Sequence, residues 1–438
     1  MYELHDSMIS KHINFFSVLL LTLFFSPTFG QTDFVEEGRL VYKDRIYNDF
    51  IRTVTVRPVS DPLGMPIIKL GSMDRLIVGF DDLTADARTY NYKVIHCSAD
   101  WQPSDLMPQE YIGGYFEYFT QDFEYSVNTY VAYTHYGFSL PNENISFLKS
   151  GNYLLVMYED DPEKPLFTRR FVVYEDIVTS GGEVKRATSV DRMMTHQEVD
   201  FFINTGGYNI PNPFTDLKVT LLQNFRWDNA IYDLKPRFLN GNFLDYNYDL
   251  ENNFLGGSEY RFFDLKSLQQ LTSEVQQTVL TDLYTVTLMP DRPRSIENYS
   301  YTDDINGQFV VRRLGSDNSL AEADYAYVDY FVPMDIPLTG GNLYVVGLFN
   351  FWEPTKEHQM KYNYEMKAYQ GRVLIKQGYY DYMYGFQRNK TQEYSVEEVE
   401  GHHWETRNDY TLLIYNRDLG ARYDRVIGMN HWVNSEVR

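Results

Sequence analysis

The sequence predicts an all-β protein built from tandem immunoglobulin/fibronectin-like β-sandwich domains. Short segments rich in Val, Ile, Tyr and Phe alternate apolar with polar residues, and clusters of Pro, Gly, Asp and Asn separate them. This spacing is typical of the strands of a sandwich. Aromatic residues make up 16% of the chain, with 38 Tyr and 29 Phe, a composition that favours strands over helical bundles.

The N-terminus has the layout of an export signal, which we predict to cover residues 1–30. A lysine precedes an apolar run over residues 13–25, and small residues suit cleavage after Gly30. Met8 is an alternative start, because the same layout is complete from there. The apolar run is too short for a spanning helix. Gln31 rather than cysteine follows the cut, so we expect an exported protein with no direct membrane anchor.

The charge and the cysteine content exclude several classes of protein. The 39 Lys and Arg against 61 Asp and Glu give a formal net charge of −22, which weighs against nucleic acid or anionic lipid as the main partner. The apolar and aromatic content excludes a disordered chain. Cys97 is the single cysteine, so we expect a buried free thiol and no disulfide within the chain. The free protein is expected to be a monomer.

Three domains are expected after the signal, because 438 residues greatly exceed the roughly 100–200 residues of one domain. We predict an N-terminal β-sandwich over residues 31–178, a central β-rich domain over 179–337 and a C-terminal immunoglobulin-like domain over 338–438. The segment TSGGE, residues 179–183, is interpreted as the linker between the first two.

The strands of the N-terminal sandwich are the most regular in the sequence. Each combines β-favouring residues with period-two alternation. The predicted strands are 51–56, 67–70, 75–80, 90–97, 123–131, 135–140, 153–158 and 167–174.

The later regions are less uniform. Alternation predicts strands at 199–203 and 217–221, whereas the three leucines within 265–271 have the spacing of one short helix. Residues 238–263 mix rings with amides, which suits either twisted hairpins or a polar adhesive face. Further strands are predicted at 342–348, 371–376, 379–386 and 410–415.

The stretch 98–118 is an irregular loop dense in rings, and loops of this length usually have a function. Two interpretations are open. The rings cover the end of a sandwich, since Trp and Tyr are highly buried on average, or they form a partner-binding surface. The rings assigned to a partner in the second case are Trp101, Tyr111, Tyr115 and Phe116.

The sequence holds no defensible catalytic or metal-binding set. The turn at 303–307 fails as a calcium loop, because its distant bidentate position is Arg313 rather than Glu. Adjacent acids such as Asp81 and Asp82 are expected to face solvent. There is no Gly-x-Ser-x-Gly elbow, no His-Glu-x-x-His and no phosphate-binding glycine loop. We therefore expect neither an enzyme nor a bound cofactor.

The C-terminal region carries Phe-Asn-Phe-Trp at 349–352 and Gly-Tyr-Tyr-Asp-Tyr at 378–382. These resemble the Phe-Asn-x-Trp loop and the Gly-x-x-x-Tyr strand of the immunoglobulin-like carbohydrate-binding modules of starch and glycogen branching enzymes. The resemblance implies a glycan-stacking role for Trp352. Met383 stands where those modules have lysine, and their second tryptophan is absent. We therefore expect the fold without glycan binding, and a cell-envelope glycan-binding protein that uses this domain is the alternative function.

Longer motifs extend over the chain from about Val41 onward, and none of them is generic. They are RPVSDPLGMP at 57–66, FDDL at 80–83, HCSADW at 96–101, PNEN at 141–144, SGNY at 150–153, QNFRWDN at 223–229, LKP at 234–236, DING at 304–307 and RYDR at 422–425.

Together these motifs resemble the plug protein family of the Bacteroidetes type IX secretion system. The resemblance implies a non-catalytic periplasmic protein at the inner face of the outer membrane. Such a protein binds the periplasmic opening of the large outer-membrane β-barrel translocon and seals it when idle.

We predict that the exported protein begins at Gln31, because the charged, apolar and small-residue zones place the cleavage site after Gly30. N-terminal sequencing of the protein from the periplasmic fraction measures this. A chain that retains Met1 or Met8 would contradict export by a cleaved signal.

Overall fold

The computed structural model describes residues 39–434, and these are nearly all β. The predicted signal peptide, residues 1–30, lies outside the described residues. Six larger sheets pack in pairs around three apolar cores, and a two-stranded pair accompanies the first of them. The predicted fold class, tandem β-sandwiches, is confirmed.

The first sandwich comprises the strands up to residue 174. Its elements are β1 (Arg45–Ile46), β2 (Ile51–Pro58), β3 (Ile67–Lys69), β4 (Leu76–Asp82), β5 (Asn91–Cys97), α1 (Pro108–Tyr111), β6 (Ile112–Gly114), β7 (Glu117–Phe119), β8 (Phe123–Tyr125), β9 (Thr134–Leu140), β10 (Ile145–Phe147), β11 (Gly151–Tyr158) and β12 (Phe167–Tyr174). One sheet has the order β1-β12-β11-β5-β7 with β3 parallel to β12, and the other has the order β2-β4-β9-β8. Their facing rings, among them Phe80, Tyr153 and Phe171, form the core.

The second sandwich begins at Thr179. Its first elements are β13 (Thr179–Arg186), β14 (His196–Asn204), α2 (Pro213–Asp216), β15 (Leu217–Gln223), β16 (Ile231–Tyr232), β17 (Phe238–Asn240), β18 (Phe243–Asp245) and β19 (Asn253–Leu255). Strands β17 and β18 form a hairpin at the edge of a sheet whose other members are β13, β14 and β19. The ring- and amide-rich stretch therefore contains a hairpin, one of the two structures that its composition left open.

The third sandwich follows before the second is complete. Its elements are β20 (Arg261–Asp264), β21 (Val275–Leu280), β22 (Tyr284–Leu288), β23 (Phe309–Val311), α3 (Ser319–Glu322), β24 (Tyr325–Pro333), β25 (Gly341–Val346), the 3-10 helices Leu348–Asn350 and Lys356–His358, β26 (Lys361–Asn363), β27 (Ala368–Lys376), β28 (Gly378–Arg388) and β29 (Tyr394–Ser395). One sheet gathers β20, β23, β25 and β29 around β28, and the other has the order β21-β22-β24-β27-β26.

The chain then returns to the second sandwich through β30 (Asp409–Asn416) and β31 (Arg425–Val433). β30 pairs antiparallel with β15, so that the second sheet of this sandwich has the order β16-β15-β30-β31. The predicted domain boundary at residue 337 falls between β24 and β25, and both strands contribute to the third core. The third sandwich is thus inserted in the chain between strands of the second.

The predicted linker at residues 179–183 is wrong, because these residues open strand β13 and pair with β14. Glycine is needed here for close packing rather than for flexibility. A Cβ on Gly181 would lie 2.7 Å from the ring of Phe202, and one on Gly182 would lie 2.3 Å from the carbonyl oxygen of Asp200.

The predicted helix at residues 265–271 is also wrong, since the segment is irregular. Leu265 and Leu268 are buried in the third core, whereas Leu271 is exposed. The spacing of the leucines reflects contacts of an irregular segment with the core. The strand predicted at 123–131 is shorter than expected, because β8 ends at Tyr125.

A buried ion pair joins the first sandwich to the third. The Nζ of Lys376 on β27 donates a hydrogen bond of 2.6 Å to Oδ2 of Asp81 on β4, and both side chains are inaccessible to solvent. The hydroxyl of Tyr325 donates to the same oxygen at 2.6 Å, and Nδ1 of His135 lies 2.7 Å from Oδ1. The expectation that Asp81 and Asp82 face solvent is wrong, because both are fully buried.

The partners of Asp81 keep its carboxylate charged. Burial by itself raises the pKa of Asp81, but the charge of Lys376 and the hydrogen bond from His135 outweigh it and hold this pKa below its ordinary value. Further hydrogen bonds join the first and third sandwiches beside this ion pair. The carboxylate of Asp324 accepts from the backbone N–H groups of Tyr130 at 2.7 Å and Val131 at 3.1 Å.

Replacing Lys376 with Met should destabilise the protein by about 3–5 kcal/mol, because Asp81 would stay buried without its counter-ion. Urea-induced unfolding measures this loss. The matched control is Lys367→Met, which breaks the 3.3 Å pair of two exposed side chains, Lys367 and Asp335, and should cost at most about 1 kcal/mol. Equal losses in the two variants would contradict a structural role for the buried pair.

The thiol of Cys97 is buried beside Trp101 and Leu154, as the sequence predicted. Burial raises the pKa of this thiol to about 12. The native protein should therefore react with a bulky maleimide only as fast as it unfolds. A control cysteine at the exposed Ser273, in a Cys97→Ala background, should react at once. Equal labelling rates at the two positions would contradict burial of Cys97.

Candidate partner-binding surface

The first half of the ring-rich loop packs inside the protein. Trp101 is buried, and its ring meets that of Trp227 of the second sandwich edge-on, with centroids 4.8 Å apart. The guanidinium of Arg170 lies 4.7 Å from the Trp101 ring on the first sandwich. Trp101 thus joins two sandwiches and is not available at the surface.

Tyr111, the last residue of α1, is also buried. Its hydroxyl donates a hydrogen bond of 3.3 Å to the carbonyl oxygen of Val94, and its ring packs against His96 and Tyr153. Of the four rings that the sequence assigned to a partner, Trp101 and Tyr111 therefore belong to the interior. Tyr115 and Phe116 are exposed.

The second half of the loop and the strands that follow it form an exposed aromatic surface, which we call the aromatic edge. Its six rings are 42% to 61% exposed. They are Tyr115, Phe116, Phe119, Phe123, Tyr125 and Tyr130. Several exposed apolar rings in one segment are a feature of interaction sites on soluble proteins.

The aromatic edge lies where both sheets of the first sandwich end. β7 is the outermost strand of one sheet and β8 is the outermost strand of the other, and only residues 120–122 connect them. Each strand has a side with no neighbouring strand in its sheet, so its backbone N–H and C=O groups there can pair with another chain. Exposed rings and open backbone edges therefore occur together.

The chain segment that carries the aromatic edge is acidic. Residues 111–134 contain Glu117, Asp122 and Glu124 but no lysine or arginine. Exposed edge strands commonly carry lysine as protection against aggregation. Here the charged residues of the edge strands and their connection are acidic instead of lysine. Two copies of the surface would repel each other, whereas an apolar partner with a basic rim would be attracted.

Trp352 offers no free face for a ligand at the surface. Its ring is 8% exposed, the guanidinium of Arg226 lies 4.2 Å from its centroid, and the ring of Tyr260 packs at 5.5 Å. Gly307 approaches so closely that a Cβ there would lie 2.5 Å from the indole. Trp352 connects the second and third sandwiches in this arrangement.

Sequence reasoning missed four rings of the aromatic edge, at positions 119, 123, 125 and 130. A local signal was present, because Phe123-Glu124-Tyr125 places a charged residue between two rings in a strand. In a strand, alternate side chains share a face. All three residues of β8 are exposed because β8 is the outermost strand of its sheet, and the sequence does not contain that information locally.

Neither a metal site nor a membrane-spanning helix is found within residues 39–434. Within residues 39–434, no group of three or more His, Cys, Asp or Glu side chains is placed to hold a metal ion. The same residues include no helix with the length and apolar character needed to cross a membrane.

Comparison with known proteins places these features in a family. Residues 51–175 match the family model described as type 9 secretion system plug protein 1st domain. Among solved structures, the chain is similar to a hypothetical protein from Parabacteroides merdae ATCC 43184, with 34% identity over 90% of this chain and 100% of that chain and a TM-score of 0.86.

Two further comparisons identify no additional relative. The C-terminal domain of the Streptococcus pyogenes antigen I/II-family protein AspA has 8% identity over 87% of this chain and 99% of that chain, and its TM-score of 0.17 carries no argument. No curated protein matches the chain. The chain therefore belongs to the family of the Parabacteroides merdae protein, and it carries the first domain of type 9 secretion system plug proteins, which relates it to type IX secretion.

Proposed function

We propose that the protein is a non-catalytic periplasmic plug that binds the periplasmic opening of the outer-membrane β-barrel translocon of the type IX secretion system and seals it when idle. The observation that carries this proposal is the match of residues 51–175 to the plug domain, because the whole aromatic edge lies inside the matched range. The aromatic edge is the proposed contact surface.

The proposed plug role is consistent with the physical requirements of a body that closes a wide pore. A pore wide enough for folded proteins would leak small solutes, so an idle pore needs a rigid body that binds reversibly. Three sandwiches held together by buried polar contacts supply rigidity. Exposed rings on edge strands supply anchors that lose little conformational freedom on binding, as aromatic side chains do at protein interfaces.

The alternative, a cell-envelope glycan-binding protein that uses residues 338–438 and Trp352, has no supporting geometry. Arg226 and Tyr260 cover the Trp352 ring, and Met383 is buried beside it. The resemblance of this region to carbohydrate-binding modules stays a prediction. We therefore propose no second function for this surface.

Deletion of the gene tests the role of a plug directly. We expect secretion to continue, and we expect the outer membrane to become permeable to large antibiotics that normally cannot cross it. Secretion of a cargo protein and antibiotic sensitivity are the two measurements. A deletion strain that stops secreting and stays impermeable would show that the protein is a working part of the export path.

Substitution of Tyr115, Phe116 and Tyr125 with serine tests the contact surface. Each anchor should contribute roughly 2 kcal/mol or more to binding, so the variant should no longer co-purify with the translocon. Its melting temperature should change little, because these rings are exposed.

The matched control replaces three exposed residues of the β17–β18 hairpin, Phe238, Leu239 and Phe243, with serine. This control should still co-purify with the translocon. If the control loses the translocon and the Tyr115, Phe116 and Tyr125 variant keeps it, the contact lies on the second sandwich and the assignment of the aromatic edge is wrong.

A further inference from the structure

The outer side of strand β8 presents backbone groups at identifiable positions. Ser126, the residue after β8, donates from its backbone N–H to the carbonyl oxygen of Tyr133 at 2.8 Å, which directs Ser126 toward the β9 side. Successive residues of an antiparallel strand direct their N–H and C=O groups to opposite sides, so Phe123 and Tyr125 are directed away from β9. Among the described strands, β9 is the one that pairs with β8.

Strand β4 on the other side of β9 gives the same alternation. The carbonyl oxygen of Phe50 accepts from the backbone N–H of Leu83 at 2.9 Å, which directs Leu83 toward the β2 side. The neighbouring Asp82 is therefore directed toward Thr134 of β9, and the next residue of β9, His135, toward β8. His135 is the residue opposite the middle of β8. The outward direction of the first and last residues of β8 thus follows from two independent hydrogen bonds.

The next outward group along this edge already has a partner. The backbone N–H of Val127 donates to the carbonyl oxygen of Ala321 in the third sandwich at 2.9 Å. This edge therefore accepts a backbone partner from outside its sheet, and the open positions of β8 continue the same row. A row of this kind is a template for a further strand.

The two faces of β8 differ in character. Phe123 lies opposite Tyr136, with ring centroids 5.9 Å apart, and Tyr136 stacks on Phe80 of the core at 5.0 Å. The two rings of β8 therefore continue an aromatic row that begins in the core, and both are exposed. Glu124, between them, lies on the other face and is also exposed.

This pattern defines the segment that would complement β8. In an antiparallel pair, residues directly opposite each other share a face, so apolar side chains opposite Phe123 and Tyr125 would extend the aromatic row. The residue opposite Glu124 lies on the acidic face, and opposite charges across two strands attract. Residues 111–134 contain no lysine or arginine that could neutralise Glu124.

We propose that the partner adds an extended segment to β8 as an antiparallel strand, with apolar residues opposite Phe123 and Tyr125 and a lysine or arginine opposite Glu124. The N–H and C=O groups of both aromatic residues form backbone hydrogen bonds with this segment. A second copy of β8 is disfavoured, because it would set Glu124 against Glu124. The identity of the partner, the translocon, rests on the proposed function, and the strand addition specifies how the contact is made.

The first test titrates the full exported chain with an acetylated and amidated peptide of alternating valine and lysine, VKVKVKV. The peptide should bind with Kd below about 1 mM. At saturation it should protect the backbone amides of Phe123 and Tyr125 from hydrogen exchange, whereas the amide of Glu124 is already paired with β9 and should change little.

Methylation of the peptide amides tests the direction of the hydrogen bonds. The residues opposite Phe123 and Tyr125 are valines, and in an antiparallel pair these same residues carry the N–H groups that bond to β8. Methylation of the valine amides should therefore weaken binding at least about tenfold. The matched control is methylation of the lysine amides, which point away from β8 and should leave Kd within about threefold.

Two substitutions test the same hydrogen bonds from the side of the protein. Tyr125→Pro removes the ring and the outward N–H, whereas the matched control Tyr125→Ala removes the ring alone. Proline is tolerated on an edge strand where its N–H would face solvent, so the melting temperatures of the two variants should be similar. Tyr125→Pro should bind the peptide at least about tenfold more weakly than Tyr125→Ala, since one acceptor of the peptide is left unpaired. The same order is expected for capture of the translocon.

The outcomes separate the strand addition from the proposed function. Absence of saturable peptide binding up to about 10 mM, or equal binding of the two methylated peptides, would overturn the strand addition, and neither result depends on the folding of a variant. If the unaltered protein does not capture the translocon, the proposed function is wrong and the peptide still decides the strand addition. If Tyr125→Pro and Tyr125→Ala capture the translocon equally well, the plug role stands and the strand addition is wrong.

Discussion

The docking of the first sandwich against the third depends on one buried carboxylate, that of Asp81. Two charges withdrawn from water are tolerated only when each has the other and further hydrogen bonds complete the set. Asp81 meets this condition only while β27 of the third sandwich lies against β4 of the first, since Lys376 and Tyr325 both come from the third. Lys376 in turn donates to the carbonyl oxygen of Leu320 at 2.6 Å and lies 4.0 Å from the ring centroid of Tyr133. Separation of the two sandwiches would break the hydrogen bonds of Asp81 with Lys376 and Tyr325 and the contact of Lys376 with the ring of Tyr133.

The junction of the first and second sandwiches is built in the same way. Asp424 is buried, and its carboxylate accepts from the backbone N–H of Ala99 at 2.9 Å and from Nε of Arg417 at 2.7 Å. Two of the motifs that carried the family resemblance meet here, because Ala99 belongs to HCSADW and Asp424 to RYDR. Trp101 and Trp227 bring HCSADW into contact with QNFRWDN in the same region. These motifs are therefore contacts between sandwiches.

This explains which features the sequence could predict. Strands such as β2, β5 and β12 follow from alternation within a few residues, which is local information. The burial of Asp81 depends on a lysine 295 positions away, and that of Trp101 depends on Trp227 and Arg170. An acid or a ring whose partner lies in another sandwich has no distinguishing local pattern, so adjacent acids were expected at the surface and two interior rings were assigned to a partner. The glycines of β13 were interpreted as a linker for the same reason, since their close neighbours are on β14.

The aromatic edge is coupled to the same buried contacts. The backbone N–H of Val127 donates to the carbonyl oxygen of Ala321 at 2.9 Å, and the side-chain amide of Asn318 donates to Glu124 at 2.6 Å. Residues that flank the exposed rings are thus fixed by α3 and the residues beside it in the third sandwich. These contacts belong to the junction between the first and third sandwiches that the ion pair of Asp81 and Lys376 stabilises. Anchors held on a rigid support lose less freedom when a partner binds, so tighter docking of the sandwiches favours binding at the aromatic edge. Any event that loosens the first sandwich from the third would free this segment. Under the proposed function, it would weaken the contact with the translocon without any change in the exposed rings themselves.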